Sequence, residues 1–204
     1  MTATEDRNEA RMAFLAGAGW DGAEAAPLAG DASTRSYQRL VLNGRPAVLM
    51  IAPPGAEAPA CPPDADERAR RALGYNAMAR LAGPNLHAFT TLAKALREAG
   101  LSAPEVYAAD AASGFALLED LGDDLFARVA GRVDEETLYR AAIDALAALH
   151  LRDPARPAGA GYRMMDYDAL AMEAEAALLI EWYWPLKKDA AAPNDLVTEY
   201  LALW

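Results

Sequence analysis

Hydrophobic positions follow a strand-like pattern in the first half of the chain and a helix-like pattern in the second. Short runs rich in β-branched, aromatic or apolar residues predict strands. These runs are Tyr37–Leu42, Arg45–Ile51, Pro104–Tyr107 and Gly114–Glu119. After residue 122 the apolar residues recur every three or four positions, which predicts helices. The order therefore predicts an α+β fold, in which an antiparallel sheet with helices is followed by a helical region.

The dipeptide Asn43-Gly44 separates the first two predicted strands. A two-residue type I′ turn needs positive φ at both central positions, and Asn followed by Gly accepts that conformation readily. A β-hairpin is therefore predicted over residues 37–51. Ahead of it, a helical pattern from Thr4 is interrupted at Gly17, which predicts a lead helix.

The helix predicted over residues 88–99 has a clear apolar stripe, formed by Phe89, Leu92 and Leu96. Glu98 lies about half a turn away from this stripe, so its side chain is predicted to face water. The helix is expected to pack on the sheet through the stripe.

Further helices are predicted before and after the last strands. A charged segment at 66–81 is one of them, and it follows a proline-rich loop. Asp134 and Asp168 stand where N-cap residues are expected, immediately before helical patterns. The helix that begins after Asp168 is predicted to end at Pro185, because proline cannot continue the hydrogen-bond ladder.

The last predicted helix, Leu196–Trp204, ends on apolar residues with no glycine and no basic last turn. Natural helix ends usually carry groups that satisfy the final carbonyls. Our interpretation is that the chain stops before the end of its second lobe; docking of this end as an apolar plug is the alternative. We predict a first domain over residues 1–121 and a partial helical domain over 122–204.

The composition limits the classes of molecule that the chain is expected to bind. The 204 residues include 30 acidic and 19 basic ones, for a net charge of -11. Such a balance repels a phosphate backbone, so nucleic acid is not an expected partner. Apolar runs are far shorter than the roughly 20 residues that span a bilayer, and the acidic N-terminus does not resemble a secretory signal. A cytoplasmic location without a membrane span is therefore predicted.

Four blocks, in order and at suitable spacing, carry a family resemblance. They are Ala29–Arg35, Val48–Met50 with Pro53-Pro54, Leu96–Leu101 with Pro104–Val106, and Leu117-Leu118-Glu119-Asp120-Leu121-Gly122. Together they resemble the aminoglycoside phosphotransferase-like kinase superfamily. Within it the chain is most similar to the bacterial anomeric N-acetylmuramate/N-acetylglucosamine kinases of cell-wall recycling. The resemblance implies a kinase-like N-terminal lobe, an incomplete helical C-terminal lobe, and ATP and Mg²⁺ as cofactors.

The first block is implied to contact the phosphates. A turn that contains Gly30 lets backbone N–H groups and small hydroxyls approach phosphate oxygens, and Ser33, Thr34 and Ser36 carry such hydroxyls. Arg35 adds a positive charge. The alternative is an ordinary polar β-turn.

Met50 occupies the strand position that usually carries a phosphate-binding lysine in such folds. The similar amino-sugar kinases resemble this chain in having methionine there. Met50 is therefore predicted to line the nucleotide site without charge, and Arg35 or Arg39 is expected to supply the positive charge.

The block at residues 117–122 resembles a kinase hinge, whose main chain pairs with the adenine edge. Glu119 and Leu121 are the implied contacts, through a backbone carbonyl and an N–H group. As side chains, Glu119 and Asp120 are as readily explained by solvation at a boundary.

The catalytic loop of the superfamily, His-x-Asp-x-x-x-x-Asn, is absent from the sequence. The segment His150–Asp153 has the wrong register and lacks the asparagine. With Cys61 as the sole cysteine and two distant histidines, no zinc site or catalytic triad is predicted. His87 is interpreted as a helix-start residue. No catalytic residue and no metal ligand is therefore assigned.

Two functional hypotheses follow. In the first, the chain is the N-terminal part of an ATP-dependent kinase that phosphorylates an amino sugar, with activity at background because the catalytic loop is missing. In the second, it is a non-catalytic nucleotide-binding or protein-interaction module that self-associates through its exposed C-terminal helix. The aromatic run Trp182–Trp184 is predicted to be helix core, with a sugar-binding wall as the alternative.

Overall fold

The computed structural model describes residues 3–29, 34–56, 60–151, 157–159 and 162–204. Its strands are β1 (Glu24–Pro27), β2 (Ser36–Leu42), β3 (Arg45–Ile51), β4 (Val106–Asp110), β5 (Phe115–Leu118), β6 (Ala158–Gly159) and β7 (Tyr162–Arg163). Its helices are α1 (Ala3–Gly17), α2 (Glu67–Leu73), α3 (Tyr75–Met78), α4 (Leu86–Glu98), α5 (Phe126–Val129), α6 (Glu135–His150), α7 (Ala169–Leu178), α8 (Trp184–Lys188) and α9 (Asn194–Leu201), with a π-helical turn, Leu179–Tyr183, between α7 and α8. The predicted α+β class is confirmed.

The main sheet is antiparallel and has the order β1-β2-β3-β5-β4. The predicted hairpin is present as β2 and β3, and φ is 52° at Asn43 and 77° at Gly44, as the type I′ turn requires. The strand β1 was not predicted. Its four residues are all exposed, so they carry no alternating apolar signal, and the strand forms by pairing with β2.

The sheet buries a hydrophobic cluster on each face. On the first face Leu40, Leu49 and Phe115 pack with residues of α1 and the segment that follows it. On the second face Met50 and Leu118 pack with residues of α4. All four residues of β5 are buried, which explains its uninterrupted apolar run. Of the predicted stripe on α4, Phe89 packs against this second cluster, whereas Leu92 and Leu96 do not belong to it. The water-facing position of Glu98, whose side chain is 67% exposed, is confirmed.

Gly114 holds the turn between β4 and β5 against the end of β3. Its carbonyl accepts a hydrogen bond from the Ala52 N–H at 2.8 Å. Its φ is 70°, and a Cβ atom at this position would overlap the Ala52 carbonyl oxygen. Glycine is therefore required here by both backbone conformation and space.

The chain divides into two compact units. The first unit contains Met1–Ala56 and Leu86–Arg163, and the second unit contains Glu57–Asn85 and Met164–Trp204. The domains predicted over residues 1–121 and 122–204 stay a prediction.

In the second unit, one predicted helix is replaced by two. The helix expected over 66–81 is divided into α2 and α3 at Gly74, where φ is 94°. Asp66 caps α2 by accepting a hydrogen bond from the Ala69 N–H at 2.7 Å. The positive φ interrupts the helical ladder and turns the chain.

A buried ion-pair cluster holds the second unit together. The Arg70 side chain is 4% exposed, and it donates to both oxygens of Asp168 at 2.6 and 2.9 Å. The Arg80 guanidinium donates to the same carboxylate at 2.8 Å. Asp168 also caps α7 by accepting from the Ala171 N–H at 3.1 Å, so its predicted N-cap role is confirmed. The two arginines hold the pKa of the Asp168 carboxyl well below its usual range.

The helix after Asp168 does not end at Pro185 as predicted. The π-helical turn at Leu179–Tyr183 follows α7, and Pro185 then lies in the first turn of α8. A proline is tolerated there because the first N–H groups of a helix have no partner within it.

The helix α6 contributes no side chain to a hydrophobic core in the described part of the chain. Asp134 caps the helix through the Thr137 N–H at 3.0 Å, as predicted, but α6 has no buried residue. Tyr139 and Ile143 are 68% and 61% exposed.

Two short strands, β6 and β7, also follow residue 122, where no strand was predicted. Among the described residues, no helix is both long and apolar enough to span a membrane.

Candidate functional site

The candidate site lies in the first unit, where β5 leaves the sheet and continues as residues 119–123, here called the connector. Glu119 ties the connector to the segment before β4. Its N–H donates to the Glu105 carbonyl at 2.8 Å, and its carboxylate accepts from the Glu105 N–H at 3.0 Å and from Arg97 at 3.1 Å. The Glu119 carboxylate is therefore already hydrogen-bonded within the protein. The main chain of the connector is the part that can contact a ligand.

Two main-chain groups of the connector are available for such a contact. In the hydrogen bonds of the described chain, neither the Glu119 carbonyl nor the Leu121 N–H takes part. The Leu121 side chain is 55% exposed. An acceptor and a donor two residues apart can pair with a flat ring that presents a donor beside an acceptor.

Arg39 on β2 binds the connector with both edges of its guanidinium. Its Nε and Nη2 donate to Asp120 at 2.6 and 3.1 Å, and its Nη1 and Nη2 donate to Asp123 at 2.8 and 3.2 Å. We call this arrangement the Arg39 clamp. The Arg39 hydrogen bonds hold the pKa of both carboxyl groups below the usual range.

The structure therefore corrects one sequence expectation about Arg39. We expected Arg39 or Arg35 to replace the missing phosphate-binding lysine, but the charge of Arg39 is matched by two carboxylates. Sequence reasoning missed Asp123 altogether. Two features of the sequence could have indicated this pairing. Arg39 is a charged residue on one face of a predicted strand, where side chains alternate between the two faces, and several acidic residues lie close together in the connector.

An apolar surface lies on the same face of the sheet as the Arg39 clamp. The register pairs Tyr37 with Met50, Arg39 with Val48, and Val48 with Leu118. Met50 is fully buried, so it supplies packing where a lysine would supply charge. Leu118 is also buried, so half-buried Val48 is the apolar residue of this group that a purine ring beside the connector could contact.

The predicted phosphate turn falls largely outside the described residues. Gly30 and Ser33 are among those not described. Thr34 is exposed just before β2, and Ser36 opens the strand opposite Ile51. The Leu28 N–H donates to the Tyr37 carbonyl at 2.9 Å, so the two ends of this segment are joined. The roles of Gly30, Ser33, Thr34, Arg35 and Ser36 remain predictions.

The second unit contains a separate cleft of about 470 Å³. Tyr75, Glu181 and Trp182 are among its lining residues. The core interpretation of the aromatic run is wrong for Trp182 and Tyr183, which are 72% and 55% exposed. An exposed indole with nearby polar groups can bind a sugar, since it offers a flat apolar face. This geometry keeps the sugar-wall alternative open.

The Tyr75 hydroxyl beside this cleft donates to Glu175 at 2.9 Å. Burial and the adjacent carboxylate raise the pKa of Tyr75 to about 12. The phenol therefore stays protonated and acts as a hydrogen-bond donor over the physiological pH range.

Metal binding and the two histidines give no further site within the described ranges. No group of three or more His, Cys, Asp or Glu side chains in these ranges could hold a metal ion. His87 is the second residue of α4, as predicted, and His150 is the last residue of α6.

Comparison with known proteins agrees with this geometry. The model of a family described as the phosphotransferase enzyme family matches residues 24–204. The chain therefore belongs to that family.

Two curated relatives make the similarity more specific. The chain is 42% identical, over its full length, to the N-acetylmuramate/N-acetylglucosamine kinase of Caulobacter vibrioides. It is 30% identical over 89% of its length to the protein of the same name from Pseudomonas aeruginosa. The aligned parts are 57% and 43% of those two relatives; the chain spans about half of the length of the proteins that it matches.

Proposed function

We propose that this chain is the nucleotide-binding part of an ATP-dependent kinase that phosphorylates an amino sugar. One observation carries the nucleotide assignment: the Glu119 carbonyl and the Leu121 N–H have no partner within the described chain and stand beside an apolar face of the sheet. The adenine edge presents an N6 donor next to the N1 acceptor, which complements this acceptor and donor pair.

Each part of the first unit has a role in this proposal. Half-buried Val48 is proposed to contact one face of the base, and the buried Met50 and Leu118 support it from beneath. The turn from Gly30 to Ser36 provides N–H groups and hydroxyls to the phosphates, with Arg35 as the cation. Mg²⁺ bound with ATP would neutralise phosphate charge, and its ligands are proposed to lie outside this chain.

The acceptor is proposed to be N-acetylmuramate, N-acetylglucosamine or a similar amino sugar, in cell-wall recycling. The amino sugar is supported by the two relatives, both of which are named N-acetylmuramate/N-acetylglucosamine kinase, and cell-wall recycling stays a prediction from the family resemblance. The cleft of the second unit, with its exposed Trp182, is the surface that we propose for the sugar. The cytoplasmic location stays a prediction from the sequence.

A second candidate is a non-catalytic nucleotide-binding or protein-interaction module. The exposed apolar residues of α6 support it, since Tyr139 and Ile143 are 68% and 61% exposed. As a protein-interaction module the chain would self-associate, which size-exclusion chromatography detects, and would not need to bind ATP.

Calorimetric titration with ATP and Mg²⁺ tests the nucleotide assignment. The 204-residue chain is expected to bind one ATP with a dissociation constant of roughly 10 µM to 1 mM, and to bind inorganic triphosphate more weakly because the base contacts are lost. Absence of saturable ATP binding at millimolar concentration would refute the proposal. A coupled assay with both sugars is expected to stay at background, and robust turnover would show that the missing loop is not needed.

A further inference from the structure

The Arg39 clamp uses most of the hydrogen-bonding capacity of one side chain. Four N–H···O contacts between 2.6 and 3.2 Å join the guanidinium to Asp120 and Asp123. The Asp120 side chain is 8% exposed, so its pairing with Arg39 is poorly screened by solvent. A planar fork that binds two carboxylates fixes direction as well as distance.

The clamp also fixes the fold of the connector itself. Asp120 accepts a second type of hydrogen bond, from the Gly122 N–H at 2.9 Å, and φ at Gly122 is 82°. Leu121 lies between these two residues. Its N–H direction therefore depends on a carboxylate that Arg39 holds in place.

We propose that Arg39 is a positioning residue that sets the base selectivity of the nucleotide site by holding the connector at the register that adenine requires. This inference rests on the proposed function, because it needs the connector to contact the base. Arg39 acts here through Asp120 and Asp123 and does not itself touch the nucleotide.

Selectivity follows from the order of donors and acceptors. A carbonyl followed by an N–H pairs with the N6 donor and N1 acceptor of adenine, whereas guanine presents the O6 acceptor and the N1–H donor at the corresponding edge. Guanine would leave both connector groups facing groups of the same kind, which costs more than a missing contact. This discrimination is lost when the connector is free to move, because the main chain can then adjust to either base.

A purely electrostatic role for Arg39 predicts a different result. Removing the guanidinium leaves two uncompensated carboxylates near a polyanionic ligand, which weakens ATP, GTP and inorganic triphosphate by a similar factor. A positioning role lowers the affinity for ATP more than the affinity for GTP. A change in the ratio of the ATP and GTP affinities therefore distinguishes a positioning role from a purely electrostatic one.

The experiment measures dissociation constants of ATP, GTP and inorganic triphosphate by calorimetry. For Arg39→Gln, ATP binding is expected to weaken about 10-fold or more, and the preference for ATP over GTP to fall about 10-fold. Arg39→Lys keeps the charge but not the fork, so it should restore overall affinity more than it restores the preference. The control is Arg140→Gln, which removes an exposed guanidinium that pairs with Glu136 at 3.1 Å on α6 and should change neither quantity.

Asp123→Asn provides a second test, since Asp123 is 55% exposed and Asp120 stays paired in this variant. In Asp123→Asn the preference for ATP over GTP is expected to fall about threefold. If Arg39→Gln does not fold, this variant tests the positioning role by itself. An unchanged ATP-to-GTP ratio, or a uniform loss for all three ligands, would overturn the inference and leave the nucleotide site in place. Absence of ATP binding by the unmodified chain would overturn both.

Discussion

Asp168→Ala is expected to lower the free energy of unfolding of the second unit by about 3 kcal/mol, because it leaves a buried arginine without its carboxylate. The Arg70 side chain is 4% exposed and also donates to the Ala77 carbonyl at 3.1 Å. The Asp168 side chain is 34% exposed. We therefore use the lower end of the range of stability losses that follow removal of one partner of a buried ion pair. Urea denaturation, followed by tryptophan fluorescence, measures the loss.

Asp66→Ala is the matched control. Asp66 also caps a helix of the second unit, through the Ala69 N–H at 2.7 Å, but it forms no salt bridge in the described chain. Its removal is expected to cost about 1 kcal/mol, as for an ordinary N-cap. Equal losses for the two substitutions would show that the buried ion pair adds nothing to the cap.

The same carboxylate predicts a pH dependence. The pKa of Asp168 in the folded chain lies below its usual range, so its stabilising contribution is complete above the ordinary aspartate pKa of about 3.9. It decreases as the pH falls from there toward the folded value. The difference in stability between the unmodified chain and Asp168→Ala should therefore be constant between about pH 7 and pH 5 and shrink below about pH 4.

Leu121→Pro is expected to weaken ATP binding roughly 10-fold to 100-fold, because proline has no N–H to donate to the base. The Leu121 side chain is 55% exposed and belongs to neither buried cluster of the sheet. The loss should therefore come from the main chain, and calorimetric titration with ATP measures it.

Leu121→Ala separates the N–H from the side chain. It keeps the donor, so ATP binding should change less than about threefold. A thermal melt of both variants checks that the fold is retained. Equal weakening by alanine and proline would mean that the leucine side chain, and not its N–H, contacts the nucleotide.

Elements with a strong local cause could be predicted from the sequence. Asn43-Gly44 specifies its own turn, and the Asp134 and Asp168 caps satisfy N–H groups three residues away. Phe89 of the predicted stripe on α4 packs against the sheet. In each case residues that are close in sequence decide the conformation.

Elements that depend on distant partners could not be predicted. The strand β1 has four exposed residues and exists because it pairs with β2. The π-helical turn at Leu179–Tyr183 interrupts the regular α-helical hydrogen bonding before Pro185. The hydrophobic periodicity does not predict this turn, because the periodicity is the same for an α-helix and for a helix with one wide turn.

The candidate site shows the same division. The connector and Met50 were found through short motifs in a family-like order. The partners of the connector were not, because Arg39 is 81 residues from Asp120 and 84 from Asp123. The sequence showed charges in both places without showing that they meet.

The most direct test of the nucleotide site is amide hydrogen exchange at Leu121, measured by NMR with and without ATP and Mg²⁺. We predict that saturating ATP slows exchange of this amide about 10-fold or more, since the N–H becomes hydrogen-bonded to the base. Amides of α6 should be unaffected. If ATP binds to the chain and the Leu121 amide exchanges at an unchanged rate, the nucleotide does not use the connector and the proposed site is wrong.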